Sequence, residues 1–506
     1  MRAEIEFLES AHEGIRVDLD RLVEIKFSPV QTGAFVTSLW HHAHYYDHPL
    51  LKAELAGLGF WFDSSKILRG HDGDIWWSVI TALLQRSSPE PAALDRCLAR
   101  LEAETPPQTL LCGVFLALCL HGYFRQADIP SLTEAFIRSG RVYDYRKDLG
   151  GFRLTRRYPT GGLSEKCALV LPAMFECFGD ELRIKSPFSV GRTLGFTGGT
   201  WDKLSSIEGF RFPSPGEETL RILRKGNCAI TVTLEDAAPA DRVMYRRRSE
   251  TSTVECDSLI VSSIASKHAA IPVHSMVLDV RIGRGAFIPD WSAAERIGGL
   301  IRSALAPQEM EVLVSIKKNV EPNGSSIGNY LEVVEALEII RNIHSGLFDL
   351  RGKHEQLSIC IDFFVKMVAL ERPEIDSQGL IEKIEAAILS GRLWSSERQF
   401  LSNHGVPAPV LDALEHEPLK PILSLKSVNI RSARAGSLRD IDQRKLGSFV
   451  YNELHARQSE SRLSGVILNK RRFDPVRARD ALCTTYASDL SAIHDSILEN
   501  ELFAIS

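Results

Sequence analysis

The sequence predicts a multidomain chain of the α/β and α+β classes: a helical start, a larger α/β layer with a mostly parallel sheet, and a smaller C-terminal α+β region. Three observations predict it. Up to about Gly151 apolar residues recur at helical spacing. After Gly151 helical runs such as "KCALVLPAMFECFG" alternate with short β-branched runs, "CAITVTL", "SMVLDVRIG" and "EVLVSI". At 506 residues, finally, the chain is too long for one compact core.

Taken in order, "TLLCGVFLALCLHGYF" and "IPSLTEAFIRSG" read as helices, with Gly140 as a C-terminal stop. Two stretches, "PVQTGAFVTSLW" from Pro29 and "PPQTLLCGVFLA" from Pro106, share a P-x-Q-T opening before an apolar helix, a weak sign of internal repetition. In "WHHAHYYDHP", His41, His44 and His48 fall on one helical face. Without a fourth placed ligand a polar, aromatic packing surface is the better reading, and no metal is assigned. Beyond about Glu371 come further helices, then "SVNIRSARAG" and "SGVILNK" as strands.

Composition narrows the function classes. Hydrophobic content of 44%, charged content of 25% and a net charge of -5 suit a soluble globular protein with no general attraction to nucleic acid polymers or anionic membranes. No apolar stretch is long enough to span a bilayer, and "MRAEIEFLES" lacks a signal-peptide h-region, so a cytoplasmic location is expected. Nine cysteines, with no C-x-x-C pair, read as buried thiols in a reducing compartment.

"TRRYPTGGLSEK", Thr155 to Lys166, has the cationic flanks and paired glycines of a loop that offers backbone amides to an anion. Pro159 removes one such donor. In "SSIASK", Ser263 and Lys267 stand at i and i+4 on one helical face.

Four longer blocks resemble the thymidine and pyrimidine-nucleoside phosphorylase family. They are "GRTLGFTGGTWDKLSSIEGF", "APADRVMYRRRSETSTVECDSLIVSSIASKH", "VLDVRIGRGAF" and "GNYLEVVEA". The likeness runs from Gly151 to Ala336, is looser over the helical lead-in, faint after Gly352 and absent from the first seventy residues.

The resemblance implies a small, discontinuous helical domain facing a larger α/β domain across a cleft, in homodimers joined through the helical domains. The expected boundaries are 1–70, an added helical extension; 71–150 and 239–270, the helical domain; 151–238 and 271–410, the α/β domain; and 411–506, the α+β region. The reaction implied is reversible phosphorolysis of a pyrimidine nucleoside, giving free base and a pentose 1-phosphate. A nucleotide substrate stays open, as does the choice of pyrimidine and pentose.

On the base side the family's arginine, serine and lysine match Arg248, Ser263 and Lys267, with Tyr245 packing against the base. Cations aimed at the O2–N3–O4 edge stabilise the anion of a departing pyrimidine. Tyr158, in place of a histidine, is expected at O2. On the phosphate side Arg157, Thr160, Gly161, Gly162, Ser189 and Thr200 form the expected cradle. Family hydroxyls are replaced by Pro159, Ala168 and Val190, and a histidine by Phe196. Each hydrogen bond to a charged phosphate contributes about 1.5–3 kcal/mol, so the cradle reads as weakened.

Three outcomes follow. Phosphate is retained as co-substrate, helped by Arg281 and Arg284; or another acceptor replaces it, with Glu165 as a base in a hydrolase or transglycosylase; or the chain only binds pyrimidines. No organic cofactor is implied. The family's monovalent-cation site would include Glu332.

Overall fold

The computed structural model describes residues 73–102, 106–192, 195–232, 236–254, 256–455, 462–490 and 502–506, with individual residues between 28 and 41. Most of the expected extension over 1–70, including His44 and His48, lies outside the described residues. The chain divides into two compact units. One comprises residues 1–142, 234–271 and 299–308; the other comprises 143–233, 272–298 and 309–506.

The described elements of the first unit are all helices. Helices span Gly73–Leu84, Pro91–Ala99, Pro106–Leu120 and Ile129–Arg138, and the chain returns with Pro239–Glu250 and Asp257–Ala269. Prolines open several of these, where a missing N–H costs nothing. Ile129–Arg138 buries Ile129, Leu132, Ala135 and Phe136 on one face and packs against Asp257–Ala269. Gly113 explains its place inside an apolar helix: a Cβ there would sit 2.0 Å from the carbonyl oxygen of Val30. The backbone at Gly113 is therefore packed against that of Val30 and Ala34. His41 stacks on His121 at 4.1 Å and meets the Tyr123 ring edge-on, a packing role for the one described histidine of that face.

The second unit is built on a five-stranded parallel sheet in the order β3-β2-β1-β4-β5. The strands are β1 (Arg153–Pro159), β2 (Ile184–Val190), β3 (Cys228–Val232), β4 (Ser275–Ile282) and β5 (Glu311–Lys318). β4 is buried at every residue, as a central parallel strand covered on both faces must be. Its partner β1 is the surprise. "RLTRRYP" reads as a loop, yet it forms the middle of the sheet with Arg156 and Arg157 buried. The Cys167–Leu182 helix, buried on nearly all sides, crosses from β1 to β2 and ends at Arg183 in the left-handed region, φ 53°.

The C-terminal strands form two small antiparallel sheets. β6 (Ser326–Ile327), β7 (Lys426–Arg431), β9 (Gly465–Leu468) and β11 (Ala481–Ala487) lie in the order β6-β9-β11-β7. β8 (Gly436–Ile441), β10 (Pro475–Val476) and β12 (Phe503–Ile505) form the other. The expected strands in "SVNIRSARAG" and "SGVILNK" are β7 and β9. The chain is a mixed α/β and α+β protein with a parallel main sheet, as its sequence pattern predicts.

Candidate active site

Strand order reverses between β1 and β4, and ligands of open parallel sheets bind beyond the carboxyl ends of the strands at such a reversal. Beside that reversal, at the carboxyl ends of β1 and β2, the second unit has a cavity of about 180 Å³, lined by residues 157–162, 188–192 and 197–200 together with Glu165, Ala168, Lys203 and Phe287. Arg157, Tyr158, Thr160, Gly161, Gly162, Ser189 and Thr200, scattered over forty-odd positions of sequence, all line it. So do Pro159, Ala168 and Val190, the positions that lack the family's hydroxyls.

The loop leaves β1 with Pro159 beside Asp279 of β4. The Thr160 N–H donates to the Asp279 carbonyl at 2.9 Å, and the Thr160 hydroxyl accepts from the Arg281 N–H at 3.0 Å. Gly161 then takes φ 102°, a conformation natural to glycine, with the Phe287 ring 2.9 Å from where a Cβ would stand. Thr200 opens the Thr200–Ser205 helix, and Ser189 lies near the end of β2.

Electrostatics qualify Arg157 as an anion ligand. Its guanidinium is buried, 3.1 Å from Glu165 and in a short ion pair with Asp279, so two carboxylates already answer its charge. Burial alone would raise the Glu165 carboxyl, but the charges of Arg157, Lys203 and Arg281 outweigh it. With a hydrogen bond from the Cys167 N–H they hold it at about 2. A carboxylate so stabilised is a weak base, which argues against the general-base role considered for it.

The two added arginines also fall elsewhere. Arg281 is buried against Asp279 at 2.8 Å, and Arg284, almost fully exposed, pairs with Asp440 at 2.9 Å. Neither lines the cavity. Besides Arg157, the cations that do are Lys203 and Arg192, the latter lying over the Trp201 ring at 4.3 Å. Lys203 and Arg192 stand inside the matching "GRTLGFTGGTWDKL" block, which was their sequence signal.

The residues around Glu332 do not fit a free monovalent cation. Its carboxylate is buried 2.7 Å from the Lys203 ammonium and accepts the Tyr451 hydroxyl at 2.7 Å. A charge and a donor already occupy the place that an ion would need.

The base-side residues belong to the first unit. Ser263 and Lys267 project together from the Asp257–Ala269 helix, and the Lys267 ammonium donates to the Ser263 hydroxyl at 2.9 Å. Both reach Asp241, a buried carboxylate near the start of the Pro239–Glu250 helix: Lys267 at 2.8 Å and the Ser263 hydroxyl, donating, at 3.0 Å. Asp241 sits in the quoted "APADR" stretch but carried no role at the level of sequence. The Lys267 side chain keeps 38% of its surface exposed, so its ammonium is oriented yet accessible.

Arg248 departs from expectation. It is buried and donates to the carbonyls of Thr253 and Val254, in the turn after its own helix, and of Leu259, in the Asp257–Ala269 helix. Burial lowers its pKa, opposed by Asp241. Its plane lies 5.6 Å from the Tyr245 ring centre.

Curated relatives share this sequence framework. A pyrimidine-nucleoside phosphorylase of Staphylococcus haemolyticus is 28% identical over 362 residues, covering 71% of this chain and 79% of the relative. One from Geobacillus stearothermophilus is 27% identical, covering 74% and 83%. Thymidine phosphorylase of Rattus norvegicus is 36% identical over 230 residues, 45% of this chain and 47% of its own. No protein-family model matches. Among solved structures, anthranilate phosphoribosyltransferases of Thermus thermophilus and Saccharomyces cerevisiae align with TM-scores of 0.48 and 0.47. Their identities are 14% and 13%, over 65% of this chain and 99% and 98% of theirs. The curated relatives to which the chain is similar thus carry the names pyrimidine-nucleoside phosphorylase, over 71% and 74% of this chain, and thymidine phosphorylase, over 45% of it.

Proposed function

We propose that the chain is a pentosyltransferase that cleaves the N-glycosidic bond of a pyrimidine nucleoside, with inorganic phosphate as acceptor. The observation that carries this reading is the Lys267–Ser263–Asp241 cluster: an accessible ammonium held in place by a buried carboxylate and a hydroxyl. A pyrimidine leaving C1′ takes the bonding electron pair onto its ring, and such an ammonium stabilises that charge.

Each unit is assigned one half of the chemistry. In the first, Lys267 and Ser263 hold the ring edge of the base, Tyr245 packs on its face, and Arg248 fixes the turn beside them. In the second, Thr160, the Gly161 and Gly162 amides, Ser189 and Thr200 hold the acceptor. Hydrogen phosphate forms the new C1′–O bond, the C1′–N bond breaks, and the proton of hydrogen phosphate ends on the free base. Assembly as a homodimer belongs to the same reading and is tested by sedimentation.

A second acceptor class is favoured by one observation. Arg157 is neutralised by two carboxylates, and the cavity presents Pro159, Ala168 and Val190 where hydroxyls would bind phosphate. Water or a sugar acceptor would tolerate that lining better than a dianion.

The test is release of free base from uridine, thymidine, deoxyuridine and cytidine, with and without inorganic phosphate, followed by chromatography. Phosphate-dependent release with pentose 1-phosphate is the expected result. Release without phosphate assigns the other acceptor, and no release together with no nucleoside binding overturns the reading.

A further inference from the structure

Lys166 is the first residue after the cradle loop, and its side chain is wholly buried. Its ammonium does not simply meet a counter-ion. It lies 2.5 Å from the Asn323 carbonyl oxygen, 3.2 Å from that of Ser326 and 3.3 Å from that of Ser164. The Ser164 hydroxyl is in contact as well, and a Glu335 carboxylate oxygen is 3.1 Å away. Five oxygens from three chain segments thus surround a compact charge that has three protons to give.

Main-chain carbonyls that converge repel one another unless a cation sits between them. Such a cage, with one carboxylate for neutrality, is the environment that a hard monovalent ion takes from a protein. The backbone has been bent to make it. Ser164 adopts φ 63°, a region that favours glycine, in the turn that carries its carbonyl toward Lys166. Glu335 is itself wrapped, accepting from the N–H and hydroxyl groups of both Ser325 and Ser326. Its carboxyl, raised by burial, is lowered overall by Lys166 and these donors. The cage therefore ties the end of the cradle loop to the 323–326 segment and to the Asn329–Arg341 helix.

We propose that the Lys166 ammonium is a tethered substitute for a free monovalent cation, which orders the acceptor loop in the absence of potassium or sodium. A family-type requirement for a diffusible ion is replaced by a side chain.

Thermal unfolding of the full chain tests this independently of turnover. The unfolding temperature is compared in potassium chloride, sodium chloride and N-methylglucamine chloride at equal ionic strength. The wild type should unfold at the same temperature in all three. Lys166→Ala removes the ammonium and leaves the oxygens. It should lose several degrees in N-methylglucamine and regain them, saturably, in potassium or sodium. Lys166→Met, which fills the space without charge, should show no such recovery. A wild type stabilised by potassium over N-methylglucamine would overturn the proposal. So would a Lys166→Ala protein that behaves alike in every salt, or that folds in none of them.

Discussion

The Lys267 ammonium and the Asp241 carboxylate stand 2.8 Å apart, bridged by the Ser263 hydroxyl that donates to one and accepts from the other. Asp241 is buried while Lys267 is partly exposed, so the carboxylate aims the cation rather than hiding it.

That asymmetry predicts different outcomes for the two partners. Lys267→Ala should lower kcat/KM for base release at least a hundredfold with the circular-dichroism spectrum unchanged, because it removes the charge that answers the leaving group. Asp241→Asn keeps the hydrogen bond from Ser263 but loosens the lysine, and should cost less, with a raised KM. Equal activity of Lys267→Ala and wild type would remove Lys267 from the site.

The cavity lining predicts a gain. Ala168→Ser and Val190→Ser each put a hydroxyl where the lining is now apolar. A hydrogen bond to a charged acceptor contributes about 1.5–3 kcal/mol, so the half-saturating phosphate concentration should fall about tenfold or more for each productive change. Phosphate titrations of initial rate measure it. No change from the double variant would indicate that phosphate does not bind in this cavity.

Much of this was legible in the sequence, and the misses share a cause. β3, β4 and β5 announce themselves by β-branched residues, and the cradle positions that the pattern matched do line one cavity. β1 was unreadable because Arg156 and Arg157 look like loop or surface residues. What buries Arg157 is a pair of carboxylates, Glu165 and Asp279, one of them 122 positions away. Arg281 and Arg284 went astray for the same reason. Spacing counts charges but does not show that Asp279 and Asp440 have already claimed them. Arg248 matches its motif, yet the structure sends its donors into a turn and the helix after it.

The buried pair beneath the loop predicts an acid dependence. Glu165 is held at about 2, below its ordinary 4.5, so its contribution is present above pH 4.5 and is lost as pH falls toward 2. Glu165→Gln leaves Arg157 with Asp279 alone and should cost on the order of 3 kcal/mol at pH 7. Denaturant melts at pH 7, 4 and 3 should show the gap between variant and wild type narrowing as the wild-type carboxylate takes up its proton.

Glu176 predicts the opposite slope. Desolvation raises its carboxyl to about 7, although it accepts the N–H groups of Asn227 and Cys228 at 3.0 Å, and Glu397 nearby is pushed up by burial and by Glu176 itself. The folded chain therefore binds this proton more tightly than the unfolded chain, whose carboxyl titrates near 4.5. Stability from this group is full below pH 4.5 and drains away as pH rises through 7. Glu176→Gln keeps an oxygen for both backbone donors and never ionises. It should match the wild type at pH 4.5 and exceed it at pH 8, by on the order of 3 kcal/mol if the whole shift is realised. Urea unfolding at the two pH values reads the difference directly, and a variant less stable than wild type at pH 8 would mean that the carboxylate is satisfied in its charged form.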